Sequence, residues 1–204
     1  MKYSGKFGFN KLAHWITYLY IPTKCLHVES NENSFVTDLC YTNPKEELFR
    51  GGWETLYAYD RRFTGGVSRD GFVREFLTYP TAHSLVARNR STGKIVGIGA
   101  LREACSGNLT VGPLYAESKE VAITLLRRLL STHPLASIQS YPKLLMLFPS
   151  SNSDGVERLA RGVCRPGQSA DSGESLVWKK DTVRIQFTES VMQVSIEWQA
   201  LIAL

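Results

Sequence analysis

Residues 83–130 read HSLVARNRSTGKIVGIGALREACSGNLTVGPLYAESKEVAITLLRRLL. His83 to Asn89 and Lys94 to Leu101 are two β-rich runs joined across the Arg90-Ser91-Thr92-Gly93 turn, which is the pattern of a hairpin. After Ser106-Gly107-Asn108 the chain turns again into Leu109 to Leu114, a short apolar run interrupted by Gly112-Pro113. Ser118 opens a helix in which Val121, Ala122, Leu125, Leu126, Leu129 and Leu130 form one apolar stripe, while Arg127 and Arg128 face elsewhere.

Outward from this block, Lys143 to Phe148 (KLLMLF) is almost wholly apolar, the pattern of a strand covered on both faces, and Pro149 ends it. Asn152 to Gly162 holds a short helix around Val156, Leu159 and Ala160, and Gly167 to Gly173 is a loop. Leu176 to Trp178 and Thr182 to Phe187 form a closing hairpin, whereas Val191 to Leu204 fits strand and helix equally. Toward the amino end, Arg69 to Leu77 is a helix capped by Ser68. Trp53 to Phe63 is another, with Trp53, Leu56, Tyr57 and Asp60 along one face. Asn43-Pro44 followed by acids starts a further helix, and Phe35 to Tyr41 and Ile16 to Ile21 read as strands. The order alternates helices and strands, which specifies an α/β (α+β) domain with a sheet covered by helices.

The chain has 204 residues, 43% of them hydrophobic, enough for one ordinary core. The formal net charge is +5, yet no run of five basic residues occurs, so the expectation is no nucleic-acid partner. Cys25, Cys40, Cys105 and Cys164 lie far apart with no CxxC pair and no histidines at ligand spacing, which argues against a zinc site or a disulfide framework. Leu12 to Pro22 is too short and too polar to span a bilayer. The expectation is an intracellular protein, cytoplasmic in preference to nuclear, with no membrane association.

Four features in order carry a family resemblance. Tyr59-Asp60 precedes a glycine pair and the Ser68-Arg69 helix start; IVGIGALRE fills the hairpin strand; LTVGPLYA precedes the long helix; and FPSSNSDGVERLARG follows. Over residues 53–162 the sequence resembles the GCN5-related N-acetyltransferase (GNAT) superfamily, and within it the YitH-type acetyltransferase domain and related nematode domains of unknown function. The resemblance implies a mixed, mostly antiparallel central sheet with helices on both faces. It further implies acetyl-coenzyme A as cosubstrate and an amine acceptor that receives the acetyl group directly, the alternative being a catalytically silent domain that binds coenzyme A weakly or serves protein interaction.

In the resembled fold the strand around Thr110, Val111, Gly112 and Leu114 splays from its neighbour and offers backbone groups to pantetheine. Gly112-Pro113 suits such a break, because proline removes a ladder donor and glycine admits close approach. The pyrophosphate would meet the helix start at Ser118, Lys119 and Glu120, with Asn152 bordering the same site. Here Tyr115 to Glu120 (YAESKE) replaces the family's glycine-rich loop, and Glu117 and Glu120 add negative charge that only Lys119 offsets locally. Glu103 is a candidate general base and Asp60 a candidate acid that attracts the amine, each set against an ordinary solvated position. The acid tyrosine of the family has no counterpart in Gly162-Val163-Cys164-Arg165, where only Cys164 could donate a proton. KYSGKFGFNKLAHWITYLYI, with its Gly8-Phe9 pair, resembles the tail of such a domain. Residues 1–34 are accordingly read as a remnant of a preceding copy and residues 35–204 as the acetyltransferase-like domain.

Overall fold

The computed structural model describes residues 11–26, 36, 38–46, 49, 52–104, 106–133, 135–149, 153–164 and 179–187. Strand β1 (Lys11–Pro22) is followed by β2 (Leu39–Thr42), helices α1 (Trp53–Phe63) and α2 (Asp70–Thr78), and strands β3 (His83–Asn89), β4 (Ile95–Glu103) and β5 (Leu109–Ala116). Helices α3 (Lys119–Thr132) and α4 (Leu135–Gln139), strand β6 (Lys143–Pro149), helix α5 (Ser153–Val163) and strand β7 (Lys179–Phe187) complete the order. The strands form one seven-stranded sheet in the order β2-β3-β4-β5-β6-β1-β7. Every neighbouring pair is antiparallel except β5 and β6, which are joined in parallel through the α3–α4 crossover. The mixed, mostly antiparallel sheet read from the sequence is therefore the fold observed.

The two faces of the sheet carry separate cores. On one face the α3 stripe (Val121, Ala122, Leu125, Leu126, Leu129, Leu130) packs with α5 residues Val156, Leu159, Ala160 and Val163 on Leu101, Val111, Leu114, Leu144, Met146 and Phe148. Each fully buried leucine there contributes about 1.5–3 kcal/mol. On the other face Leu56, Tyr59 and Phe63 of α1 and Val73 and Leu77 of α2 cover Val86, Ile98, Ala100 and Tyr115. The glycines of β4 let α3 lie close: a Cβ at Gly97 would stand 3.2 Å from both Leu125 Cδ2 and the Tyr115 carbonyl oxygen, and one at Gly99 2.8 Å from Leu129 Cδ1.

The structure corrects three local readings. β6 is not covered on both faces: Leu144, Met146 and Phe148 are buried, while Leu145 and Leu147 on the α1–α2 side are half-buried, because no described helix overlies that half of the sheet. Ser68 does not cap α2; Arg69 is the N-cap and makes no side-chain cap bond. Gly112-Pro113 ends regular pairing on one side only: pairing of β5 to β6 stops at Val111, while against β4 the strand runs on, accommodating one extra residue between Val111 and Leu114. Residues 8–9, 167–173, 176–178 and 191–204, about which the sequence also speaks, lie outside the described residues.

Gly97→Val should destabilise the domain by about 1–3 kcal/mol through overpacking, since the Tyr115 carbonyl it meets is backbone and cannot move aside. Urea unfolding at equilibrium measures this, and an unchanged midpoint would show that α3 does not rest on β4 as described.

Candidate functional site

The parallel contact between β5 and β6 consists of Leu109 with Leu144, Thr110 with Leu145, and Val111 with Met146. Both strands continue beyond it, to Ala116 and Pro149, without further pairing to each other. Antiparallel pairing of β5 to β4 resumes past the bulge, at Gly99 with Leu114 and on to Gly97 with Ala116, so the gap opens only on the β6 side. A wedge of unpaired backbone edge results, and it widens toward the amino end of α3. The bulge at Gly112-Pro113 increases the local twist and steers β5 away from β6.

At the mouth of the wedge Ser118, in extended conformation, caps α3 by accepting a hydrogen bond from the Val121 N–H at 3.2 Å. The exposed Glu120 carboxyl is held below its ordinary range, first by its own backbone N–H and next by the Ser118 hydroxyl, with Lys119 and Arg158 adding attraction. Glu117 accepts from Arg62 of α1 at 2.9 Å. Arg62 also lies over the Tyr59 ring, 5.4 Å from its centroid. The Tyr59 hydroxyl is buried without a hydrogen-bond partner among the described residues. Burial, followed by the Glu117 charge, raises its pKa.

The structure brings Gly112, Leu114, Ser118, Lys119 and Glu120 to this one mouth. Thr110 and Val111 lie at its base, where the strands are still paired. Asn152 lies outside the described residues. Lys119 is not the only offset to the acids: Arg62 of α1 pairs with Glu117 across 55 positions of sequence, and the charge of Arg158 on α5 acts on Glu120, neither of which local spacing signals. Glu103 is exposed at the closed end of β4, opposite Leu109, and so stands apart from the wedge.

Asp60 is neither a solvated helix position nor an open acid. It is 2% exposed, and both its oxygens accept from Arg69, at 2.8 Å from Nε and 2.7 Å from Nη2. Arg69 also donates to the Tyr115 hydroxyl and lies over the Tyr115 ring, which stacks on Phe63. Burial, the largest single influence, lowers the Arg69 pKa; the Asp60 hydrogen bond, the charges of Tyr115 and Asp60 and the Tyr115 hydrogen bond together outweigh it and hold the guanidinium above its usual range. The trio ties the start of α2 to α1 and β5. Its sequence signal is the nine-residue separation of Asp60 and Arg69, which has meaning only once the α1–α2 turn is known.

Elsewhere, burial pushes the Cys164 thiol up to about 12, with Cys25 adding to the shift, which makes it a poor proton donor. The described residues contain no group of three or more metal-ligating side chains, and no described helix is long and apolar enough to cross a membrane. His83 shares a hydrogen bond with Thr132 at 2.7 Å and meets His133 edge to face at 5.5 Å. Burial, then the charges of His133 and Lys45, lower its pKa, with the Leu129 backbone opposing.

Residues 56–140 match the family model described as the acetyltransferase (GNAT) domain. A comparison with curated proteins finds no match. Among solved structures, a GCN5-related N-acetyltransferase from Sphaerobacter thermophilus superposes with a TM-score of 0.55 at 14% identity, covering 91% of this chain and 55% of that one. Another from Kribbella flavida gives 0.51 at 14% identity, covering 90% and 40%. The GCN5-related glucosamine N-acetyltransferase region of a fungal multi-domain β-N-acetylglucosaminidase gives 0.57 at 10% identity, covering 91% and 22%. The chain thus has a GNAT-like fold and spans about half the length, or less, of these structures.

Asp60→Ala should cost about 3 kcal/mol, because it leaves the Arg69 guanidinium without its partner; chemical denaturation reads this, and a loss under 1 kcal/mol would rule out the structural role. His83 holds its proton less tightly when folded than when unfolded, so its contribution is complete above the ordinary value of 6.5 and disappears as pH falls through the lower folded value. Wild type should therefore lose more stability between about pH 7 and pH 5 than His83→Gln does, as followed by thermal unfolding.

Proposed function

We propose that this chain is an acetyl-coenzyme A-dependent N-acyltransferase that passes an acetyl group directly to a primary amine. The observation that carries the reading is the wedge: three parallel residue pairs, then two diverging strands, with a Ser118-capped helix start at the mouth. An extended pantetheine chain suits the unpaired edge of β5 beyond Val111, where Gly112 and Leu114 present main-chain groups while Thr110 and Val111 form the base. The amides at Ser118, Lys119 and Glu120, with Lys119 and Arg62 close by, suit a pyrophosphate.

Bound there, the cosubstrate supplies a thioester. The amine nitrogen attacks the carbonyl carbon, the new C–N bond forms, the C–S bond breaks, and the thiol leaves with a proton while the nitrogen gives one up. Asp60 is bound by Arg69 and Glu103 stands at the closed end, so neither is placed to take that proton directly. The scaffold contributes position: β5 holds the thioester at the wedge, and the α1–α2 side of the sheet is left for the amine. Residues 1–34 are proposed as the end of a preceding copy that has become part of this sheet. Their described strand β1 fills the slot between β6 and β7, antiparallel to both, and those strands have no contact in the ladder without it.

A second reading rests on the two acids at the mouth. The Glu120 carboxyl is held in its charged form by its own amide and the Ser118 hydroxyl, and Glu117 takes up Arg62, so the chain's own anions compete for the donors a pyrophosphate needs. Carried far enough, this leaves a silent domain with weak affinity for coenzyme A.

Thermal unfolding with and without millimolar acetyl-coenzyme A separates the two. A ligand present at about 100 times its Kd adds roughly 2.7 kcal/mol, which for a domain of this size raises the midpoint by about 5–10 °C. Ser118→Glu should abolish that rise by repelling the pyrophosphate, and Glu117→Gln with Glu120→Gln should increase it. Absence of any rise in wild type together with a rise in the double variant would establish the silent domain.

A further inference from the structure

Beside the wedge, on the α1–α2 side of the sheet, two polar groups are buried without partners. Arg102 of β4 and Thr110 of β5 stand directly opposite each other in the antiparallel ladder. Arg102 Nε and Thr110 Oγ1 are both buried and have no hydrogen-bond partner among the described residues. Buried polar groups are normally met by a partner, and what sets these two apart from other unmet groups is that they face each other across one ladder position, where a single ligand can meet both. The Arg102 guanidinium is also held in place. Its central carbon lies 4.0 Å from the Phe76 ring centroid and 4.8 Å from that of Tyr79 at the end of α2. No carboxylate pairs with it among the described residues.

The surroundings define what would bind. Thr110 is next to Leu145 across the last parallel pairs, and Leu145 and Leu147 face the same side as Tyr18 and Tyr20 of β1, whose rings stack 6.3 Å apart. These four side chains are half-buried, so an apolar floor adjoins the polar pair. Thr110 is two residues below Gly112, about 7 Å along the strand at the usual rise of ~3.3 Å per residue.

Resting on the acyltransferase reading, we infer that Arg102 and Thr110 bind the carboxylate of the acceptor, so that the amine substrate is an α-amino acid with an apolar side chain. The planar guanidinium donates through Nε–H and the hydroxyl through O–H, one to each carboxylate oxygen. The apolar side chain lies on Leu145, Leu147 and Tyr18, and the amine, a few bonds from its acid, points up the strand to the wedge. Arg102 is therefore a binding group for the acceptor and plays no part in proton transfer.

The test needs no turnover. Calorimetric titration compares N-acetyl-L-phenylalanine, the form the product would take, with its carboxamide, which has the same shape and no charge. Wild type should bind the acid at least ten-fold more tightly than the amide. In Arg102→Gln the ratio should fall below two, Arg102→Lys should restore part of it, and the near-isosteric Thr110→Val, which keeps the fold if the larger change does not, should reduce it several-fold. Equal affinity for acid and amide, no binding of either at millimolar concentration, or an undiminished ratio in both Arg102→Gln and Thr110→Val would overturn the inference. The acetyl-coenzyme A midpoint rise in wild type is measured alongside. If it is present without acid preference, the acceptor assignment alone fails; acid preference without the rise retains the carboxylate site and removes the transferase reading.

Discussion

The geometry of this molecule depends on how briefly β5 and β6 touch. Theirs is the one parallel contact in the sheet, and it lasts three residue pairs before the strands part. A parallel neighbour requires a crossover, here α3 and α4, and the crossover must leave β5 at its carboxyl end. The start of α3 is therefore compelled to sit at the open end of the gap. A helix start rich in unpaired amides and a strand edge rich in unpaired amides and carbonyls come to one place because of a single topological step. The glycines of β4 then allow α3 to settle on the sheet, fixing that helix start in position.

Charge at the mouth is the second level of control. Amides at a helix start attract an anion, but here the chain supplies its own in Glu120, and Glu117 draws Arg62 across from α1. On the proposed reading, an incoming diphosphate has to displace or outbid these carboxylates, and the gain is the difference between two anions at one set of donors. On that reading, strong binding and silence are two ends of one balance set by two acidic side chains.

Much of this was legible in the sequence, for identifiable reasons. The β3–β4 hairpin, α1, α2, α3 and α5 follow from apolar period and turn chemistry, which are local properties. The Gly112-Pro113 irregularity was legible as a dipeptide, and its consequence, an extra residue in β5 and not an end of the strand, required the partner strand. Asp60 reads as a surface acid because it is charged and leads into Arg61-Arg62, even though it shares a face with Trp53, Leu56 and Tyr57; its burial depends on Arg69 arriving through the α1–α2 turn. The alternation in β6 was hidden because Leu145 and Leu147 are as apolar as the residues they alternate with, although the described helices cover only one face. The contacts of Arg62 with Glu117 and of Arg102 with Thr110 link residues on different elements, and no spacing along the chain announces them.

The two faces of the sheet divide the work. The α3–α5 face is filled with aliphatic side chains to the point that a methyl group on Gly99 would collide with Leu129. Among the described residues the opposite face is filled over β3 to β5, by α1 and α2, and there it has polar groups as well: Asp60, Arg69, the Tyr115 hydroxyl, Arg102 and Thr110. Buried polar groups are tolerated where they are paired, and the first three are paired with one another. Arg102 Nε and Thr110 Oγ1, like the Tyr59 hydroxyl and Ser84 Oγ, are unpaired among the described residues, and these two stand opposite each other at the border where described helix cover ends and the half-buried leucines of β6 begin. A site for a small polar molecule is expected at such a border, because packing alone does not satisfy these groups and the floor beside them is only half covered.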